Sequence, residues 1–503
     1  MITTRKLTAV AVWLGFALAA LFLYPLAVAL DSDIFYLQWQ RRDSYEAIAA
    51  LGLLWVLFGS VIFTLWRRPG RWATAAIGSV AAFPVASFVA GFARQLPFDD
   101  ALIRAWEGQG LRYGVPGAAV LAVLVPFVLW PDRFGHWLRR GLLAISFASI
   151  VVVESFVTAA TSAAPPLMIE RPVAVTEAGA ASASCPSVVA LLFDELSFSY
   201  VYDGTQVRAE YPALSRLSAR ATNYLDARAP ANETLVSLPG YLAGRHVASV
   251  RVEGVNLLEV GDDGKAVPYD ASGPAALFPT ARAQGYQTEM AGYYLPYCQL
   301  LGGLLDVCRS LSFYNESTID DGFSPLDPIL TTLIMWPRQF PFGLVKNLPF
   351  ARLQRSLVGE LTAFARRPLP AGRPVFRFVH FSVPHLPFVF DREGYHPPLN
   401  PLRTSPDTAY VRQIGYVDRL VGDIVSEMEH AGTFDTTTFI VLADHGYRFG
   451  GHELDELHVP FIVKRPGQAA RTDISDRRPG ELLLRDLVAG ACVGASPESV
   501  LAP

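Results

Sequence analysis

The chain has 503 residues, 51% hydrophobic and 17% charged, with mean hydropathy +0.28 and a formal net charge of −4. A composition this apolar excludes a disordered polar chain, and the absence of a basic cluster after residue 165 argues against a nucleic-acid partner. The length permits more than one domain, and the apolar excess lies before residue 165.

Long apolar stretches run over 8–30, 47–66, 72–93, 116–130 and 141–161. Four approach the ~20 residues needed to cross a bilayer as a helix; 116–130 is shorter and reaches that length only by extending back through Tyr113. Arg5 and Lys6 precede the first stretch, Arg67, Arg68 and Arg71 follow the second, and Arg133, Arg139 and Arg140 follow the fourth. The other loops carry Arg41, Arg42, Arg94 and Arg104, but accompanied by Asp31, Asp33, Asp43, Glu46, Asp99 and Asp100. Alternating basic loops predict a cytoplasmic N-terminus, and five spans then put everything after residue 162 outside the cytoplasm. A cleaved signal peptide is disfavoured by the length of the first stretch and the spans that follow. The expected organisation is a multi-pass anchor in the cell (inner) membrane over 1–161, a connector rich in Ala, Ser and Pro over 162–187, and an extracytoplasmic domain over 188–503.

The exterior part reads as α/β. Strand candidates are 188–193, 375–381, 438–443 and 459–463; helix candidates lie near 207–220, 237–243, 273–284, 351–366 and 408–431. Such alternation predicts a mainly parallel sheet with helices on both faces. Cys298 and Cys308 share one loop-like stretch, and an oxidising exterior predicts a disulfide between them. Cys185 and Cys492 have no evident partner, and no cysteine spacing suits a zinc knuckle, so a metal would take oxygen and nitrogen ligands.

Chemistry-bearing residues follow the apolar runs. Val188–Phe193 leads into Asp194-Glu195, adjacent carboxylates that repel unless a cation or hydrogen bonds compensate them. Residues 231–246 hold Thr234 in Thr-x-x-Ser-Leu-Pro at the start of a short helix, where free N–H groups stabilise an anion; an ordinary helix cap is the plain alternative. Arg245 follows a glycine at that helix's end and is a candidate contact for an anionic group. His380 and His385 flank Phe-Ser-Val-Pro. Phe439–Ala443 runs into Asp444-His445-Gly446, side chains that can coordinate a divalent cation where a parallel strand ends.

In this order, Asp194-Glu195, Thr234 through Pro239, His380 with His385, and Asp444-His445-Gly446 resemble the alkaline phosphatase/sulfatase superfamily. Within it the chain looks most like the membrane-anchored phosphoethanolamine transferases and lipoteichoic acid synthases, over roughly 184–467 plus the anchor. The resemblance implies an alkaline-phosphatase-like fold and a divalent metal ion, zinc or manganese. It implies Thr234 as nucleophile and metal ligand, with Glu195 (or Asp194), Asp444, His445 and one of His452 and His458 as further ligands. His380 and His385 would bind the transferred phosphate, and His385 would act as acid and base. Two features depart from the pattern: Thr234 lacks the Cys/Ser-x-Pro-x-Arg setting of formylglycine sulfatases, and no cysteine lies near it. The implied activity is transfer of a phospho-substituent from a membrane lipid donor to an envelope glycan or lipid acceptor. Hydrolysis, by a phosphodiesterase, phosphatase or sulfuric-ester-type enzyme of the same superfamily, is the alternative. A catalytically inactive membrane scaffold is the third.

Overall fold

The computed structural model describes residues 4–67, 147–162, 164–171, 185–261, 263–320, 322–335, 343–370, 372–396, 405–448 and 455–493, with isolated positions at 140 and within 76–88. The chain divides into two compact units, Met1–Ala164 with Tyr314–Phe350, and Pro165–Phe313 with Ala351–Pro503.

The first unit is helical: α1 (Thr4–Ser32), α2 (Arg41–Trp66) and α3 (Ala148–Thr161). Among the described residues, two segments are long and apolar enough to cross a membrane, Thr8–Asp31 with hydropathy 2.1 and Arg41–Leu65 with hydropathy 2.4; membrane spans, signal sequences and buried core helices share this length and composition. The expected spans over 72–93 and 116–130 and most of the loops between them lie outside the described residues. Helices α1 and α2 approach backbone to backbone at paired glycines, where a Cβ on Gly15 would come within 2.6 Å of the Gly59 Cα. Leu23, Leu26, Ala47, Leu54, Val152, Phe156 and Met335 are buried in one apolar cluster, while Leu53, Val56 and Leu57 of α2 are exposed. At the start of α2 the Asp43 carboxylate accepts from Ser317 Oγ at 2.6 Å, Asn315 Nδ2 at 2.8 Å and the Gln40 N–H at 2.8 Å. Residues 314–350, which the sequence boundary leaves in the exterior domain, therefore group with the amino-terminal helices.

The second unit is built on a nine-stranded sheet. Its strands are β1 (Met168–Glu170), β2 (Val188–Asp194), β3 (Thr222–Tyr224), β4 (Gln287–Tyr293), β5 (Val307–Leu311), β6 (Val375–Pro384), β7 (Thr438–Ala443), β8 (Phe461–Lys464) and β9 (Thr472–Ile474). They lie in the order β1-β5-β4-β6-β2-β7-β8-β3-β9. The run from β5 to β7 is parallel, whereas β8 is antiparallel to both its neighbours and β1 to β5. Strands β2, β4, β6 and β7 are buried throughout, as a sheet covered on both faces requires.

All four expected strands form, but the fourth, β8, runs antiparallel. Strand β4 carries no continuous apolar run because its Glu289 forms a buried ion pair with Arg377 of β6, Oε2 to Nε 2.7 Å, directly across the ladder. Polar side chains that satisfy one another inside a sheet hide a strand from hydropathy. The site-bearing helices are α4 (Thr234–Ala243) and α5 (Pro406–His430). The α4 helix ends on Gly244 at φ +62°, the left-handed stop that glycine adopts without penalty.

Two disulfides close this unit. Cys298 pairs with Cys308 as expected. Cys185 pairs with Cys492, 307 residues later in sequence, a partnership no local spacing reveals. In the chain-entropy picture the long loop contributes on the order of 5 kcal/mol and the short one roughly 3 kcal/mol. Peptide mapping of protein alkylated without reductant is expected to give both cross-linked pairs and no alkylated cysteine. Cys185→Ser should lower the melting temperature more than Cys298→Ser, and an alkylated Cys492 peptide would contradict the pairing.

Candidate active site

The register of three neighbouring strands builds the site. Leu192 of β2 lies level with His380 of β6 and Leu442 of β7, and His380 lies level with Gly292 of β4. The chain therefore emerges from β2 at Asp194 and from β7 at Asp444 beside the His380 ring. One ligand atom each from Asp194, His380 and Asp444 lies within 4.8 Å of the others. All three residues are buried, as are Glu195 and His445.

Helix α4 delivers Thr234 into this cluster. Its Oγ1 donates to Asp444 Oδ2 at 2.8 Å, and lies 3.2 Å from His445 Nε2 and 3.5 Å from Asp194 Oδ1. Two more side chains of the same helix fix its register on β7. Ser237 Oγ donates to the Asp444 carbonyl at 2.6 Å, and the Tyr241 hydroxyl to the Ala443 carbonyl at 3.0 Å. The serine of the Thr-x-x-Ser motif is thus a strut between helix and strand, one turn from the threonine it positions.

Each imidazole is oriented by its second nitrogen. His445 Nδ1 donates to the Gly446 carbonyl at 2.9 Å, which turns Nε2 toward Asp194 Oδ1 at 3.6 Å and Asp444 Oδ2 at 3.4 Å. Gly446 is needed for closeness: a Cβ there would lie 3.0 Å from the Glu456 carbonyl, to which the Gly446 N–H donates at 2.6 Å. His380 Nδ1 lies 2.7 Å from the Tyr297 hydroxyl, and its Nε2 is buried without a hydrogen-bond partner. Gly292 makes room for Tyr297, whose ring would sit 2.4 Å from a Cβ at that position. His385 Nδ1 donates to the Leu386 carbonyl at 2.7 Å, and its Nε2 faces Glu195 Oε1 at 4.0 Å.

Glu195 occupies the left-handed region at φ +64°, a conformation costing a residue with a Cβ roughly 1 kcal/mol or more. Its N–H donates to Asp444 Oδ1 at 3.0 Å and its carbonyl accepts from the Tyr410 hydroxyl of α5. Its carboxylate meets Arg448 Nε at 3.0 Å. Burial, reinforced by Asp444 and Glu195, holds the Asp194 carboxyl well above the usual carboxylate range. Burial pulls His380 down to about 4 and lowers His385 as well, so both rings are neutral near pH 7.

These residues fit a divalent cation. Two carboxylates and one imidazole converge, that imidazole's buried Nε2 lacks a hydrogen-bond partner, and one carboxyl is pushed toward its neutral form by burial and like charge. Asp194, His380 and Asp444 are the converging set, with His445 and Thr234 beside it.

Several expected site residues stand differently. His380, expected at the phosphate, belongs to the converging set. His458 is committed elsewhere: its Nε2 bonds the Leu225 carbonyl at 2.8 Å and its ring stacks on Phe198 at 3.9 Å. His452 lies outside the described residues. Arg245, expected to meet an anion, is paired through both terminal nitrogens with Glu259 at 2.6 Å. Arg448 and Tyr297 escaped the sequence reading; Arg448 is four residues past Asp444, in the tail of the motif already singled out.

His380→Ala and Asp194→Asn are each expected to lower metal content about tenfold or more, measured by elemental analysis, while Arg245→Ala leaves metal unchanged. The raised Asp194 and lowered His380 set the pH dependence. Protons compete with the cation on Asp194, and on His380 below its ordinary value; both competitions weaken as pH rises. The gain in melting temperature on adding metal should therefore be larger at pH 8 than at pH 5, and a gain that falls with pH would contradict the site.

The family model described as Sulfatase matches residues 186–481, well over half of the chain and all of the site residues above. Arylsulfatase of Volvox carteri is 33% identical over 73 residues, 12% of this chain and 11% of that protein; arylsulfatase of Chlamydomonas reinhardtii is 32% identical over 84 residues, 14% and 13%. The chain thus spans about an eighth of the curated relatives it matches. Among solved structures, the phosphonate monoester hydrolase of Agrobacterium radiobacter aligns with TM-score 0.38 and 16% identity over 61% of this chain and 73% of that one. An alkaline phosphatase superfamily protein from Vibrio parahaemolyticus aligns with TM-score 0.37 and 14% identity, over 62% and 67%. With the family model spanning β2 to the end of the site, the chain belongs to the sulfatase family.

Proposed function

We propose that this chain cleaves a phosphoester by double displacement, with Thr234 as the nucleophile. The observation that carries the reading is the position of Thr234 Oγ1, within 3.5 Å of Asp444, His445 and Asp194 at the start of α4. An ordinary helix cap satisfies its own helix; this hydroxyl is aimed at two carboxylates and an imidazole on other elements.

Asp194, Asp444 and His380, with His445, would hold the divalent ion, which when bound supplies positive charge for activating the Thr234 oxygen and for the phosphoryl oxygens. Asp444 Oδ2 is the nearest acceptor for the Thr234 proton, with His445 Nε2 and Asp194 Oδ1 further off. In the first displacement the Thr234 Oγ–P bond forms as the bond to the leaving alcohol breaks. In the second, a hydroxyl from water or an acceptor attacks the phosphorus on Thr234, the new O–P bond forming as the Thr234 Oγ–P bond breaks and Oγ regains its proton. His385, neutral by burial and with Nε2 bare, takes the proton of that incoming hydroxyl. The N–H groups of Thr234 and Leu235, first in α4 and so without intrahelical acceptors, lie beside the developing charge.

The family match favours hydrolysis, with water as acceptor. The two long apolar helices favour the membrane-bound version, in which a lipid donates the phospho-substituent and an envelope glycan or lipid receives it. Thr234, rather than a cysteine or serine convertible to formylglycine, weighs against sulfate esters, and the converging side chains weigh against an inactive scaffold.

Full-length protein in detergent, loaded with zinc or manganese, should hydrolyse 4-nitrophenyl phosphoesters in preference to 4-nitrophenyl sulfate. Thr234→Ala should cut turnover by about 10³-fold or more while retaining metal, and Thr234→Ser should keep part of it. Native turnover by Thr234→Ala would show that the residue is only a cap.

A further inference from the structure

The loop that carries His385 leaves β6 at Pro384, where the pairing with β2 has already slipped after Phe381, and runs to Phe390. Backbone groups that leave a ladder inside the protein need other partners. One side chain of α5 meets four of them. Gln413 Nε2 donates to the Pro384 carbonyl at 2.9 Å and to the His385 carbonyl at 2.8 Å. Its Oε1 accepts from the N–H groups of Val389 at 2.9 Å and Phe390 at 3.1 Å. Gln413 is fully buried, and these bonds use both donors and both lone pairs of its amide. They join the two ends of the loop, 384–385 to 389–390, and so fix the turn between them.

His385 is held inside that turn. Its Nδ1 donates to the Leu386 carbonyl at 2.7 Å, a bond within the loop itself, while its ring stands edge-on to Phe313 at 5.8 Å. The Leu386 carbonyl therefore sets which nitrogen carries the proton and turns the lone pair of Nε2 into the site. A loop that shifts takes this carbonyl, and the ring, with it. Helix α5 gives the loop a fixed reference. Three residues before Gln413, on the same helix face, the Tyr410 hydroxyl donates to the Glu195 carbonyl and accepts from the Ser197 N–H. One face of α5 thus sets two strand exits, that of β2 through Tyr410 and that of β6 through Gln413.

We propose that Gln413 is a positioning residue for the second displacement: by closing the 384–390 loop on α5 it holds His385 Nε2 where it takes the proton of the incoming hydroxyl. The inference rests on the role given to His385 in the reading above. In that step the new O–P bond forms and the Thr234 Oγ–P bond breaks. The proton of the incoming hydroxyl passes to Nε2, which then releases it to solvent. The first displacement, with a leaving group as good as 4-nitrophenolate, asks for no proton from His385 and is independent of Gln413. An ordinary loop brace would affect both displacements alike, through the fraction of folded protein.

Rapid mixing of the metal-loaded full-length chain in detergent with an excess of the 4-nitrophenyl phosphoester it turns over separates the two steps. His385→Ala should release about one equivalent of 4-nitrophenolate per site in a burst and leave phosphorus on the Thr234 peptide, seen by mass analysis. Its steady turnover should then be about 10²-fold or more below native. Gln413→Met, similar in length and volume but without the amide, should also keep the burst and lose about 10²-fold in steady turnover. Gln413→Asn, one methylene short of bridging the loop, should fall between Gln413→Met and native. The burst counts competent sites, so the ratio of steady rate to burst is unaffected by a loss of stability. A native ratio in Gln413→Met would mean that Gln413 only braces the loop, and the proposal fails; if that variant does not fold, the ratio in Gln413→Asn decides in the same way. A native ratio in His385→Ala would instead refute the role of His385, and the proposal with it.

Discussion

Mutual repulsion among Asp194, Glu195 and Asp444 is the constraint on which the rest of the catalytic unit depends. Three carboxylates are driven together because β2 and β7 are adjacent, parallel and in register, so both strands release their acidic residues at one edge of the sheet. Nothing in the apolar interior favours such a cluster. It persists through the surrounding apparatus: N–H donors to Asp444, Arg448 against Glu195, the Thr234 hydroxyl, and a donor set suited to a divalent ion. The phosphoryl chemistry proposed above would draw on this concentration of charge, since electrostatic stabilisation dominates such reactions.

The scaffold holds each group by elements remote from it in sequence. His380 is set by Tyr297, and Tyr297 fits only because residue 292 is glycine. Thr234 is set by Ser237 and Tyr241 gripping β7, and Glu195 by Tyr410 reaching from near the start of α5. The aromatic rings of Tyr410 and Tyr447 stack at 4.0 Å, packing α5 against the segment that carries Arg448. A displacement in any of these supports would move a reacting group by fractions of an ångström, the scale on which such chemistry is lost.

Where the pattern is carried by strand ends, the sequence was readable. Apolar runs stopping at Asp194 and Asp444 marked the buried parallel strands and the edge at which they open, and the Thr-x-x-Ser spacing marked the start of α4. Three kinds of information were not readable. Strand β4 is disguised by Glu289, whose partner Arg377 lies 88 residues further along the chain and is invisible locally. Cys185 and Cys492 meet only after the whole unit closes. The histidines look alike in sequence, and only the hydrogen bond at the second ring nitrogen tells a converging His380 from a His458 spent on a backbone carbonyl. Arg448 sat in plain view beside the Asp-His-Gly motif, but its role depends on the backbone turn at Glu195, which the side-chain pattern does not encode.

The central claim is that the group on phosphorus passes through Thr234 before reaching its acceptor. The stereochemical course at phosphorus tests this most directly. A phosphoester made chiral with oxygen isotopes is turned over by the metal-loaded enzyme and the configuration of the product is determined. Two in-line displacements through Thr234 predict net retention. Net inversion would mean that the acceptor attacks phosphorus directly, and would contradict the account.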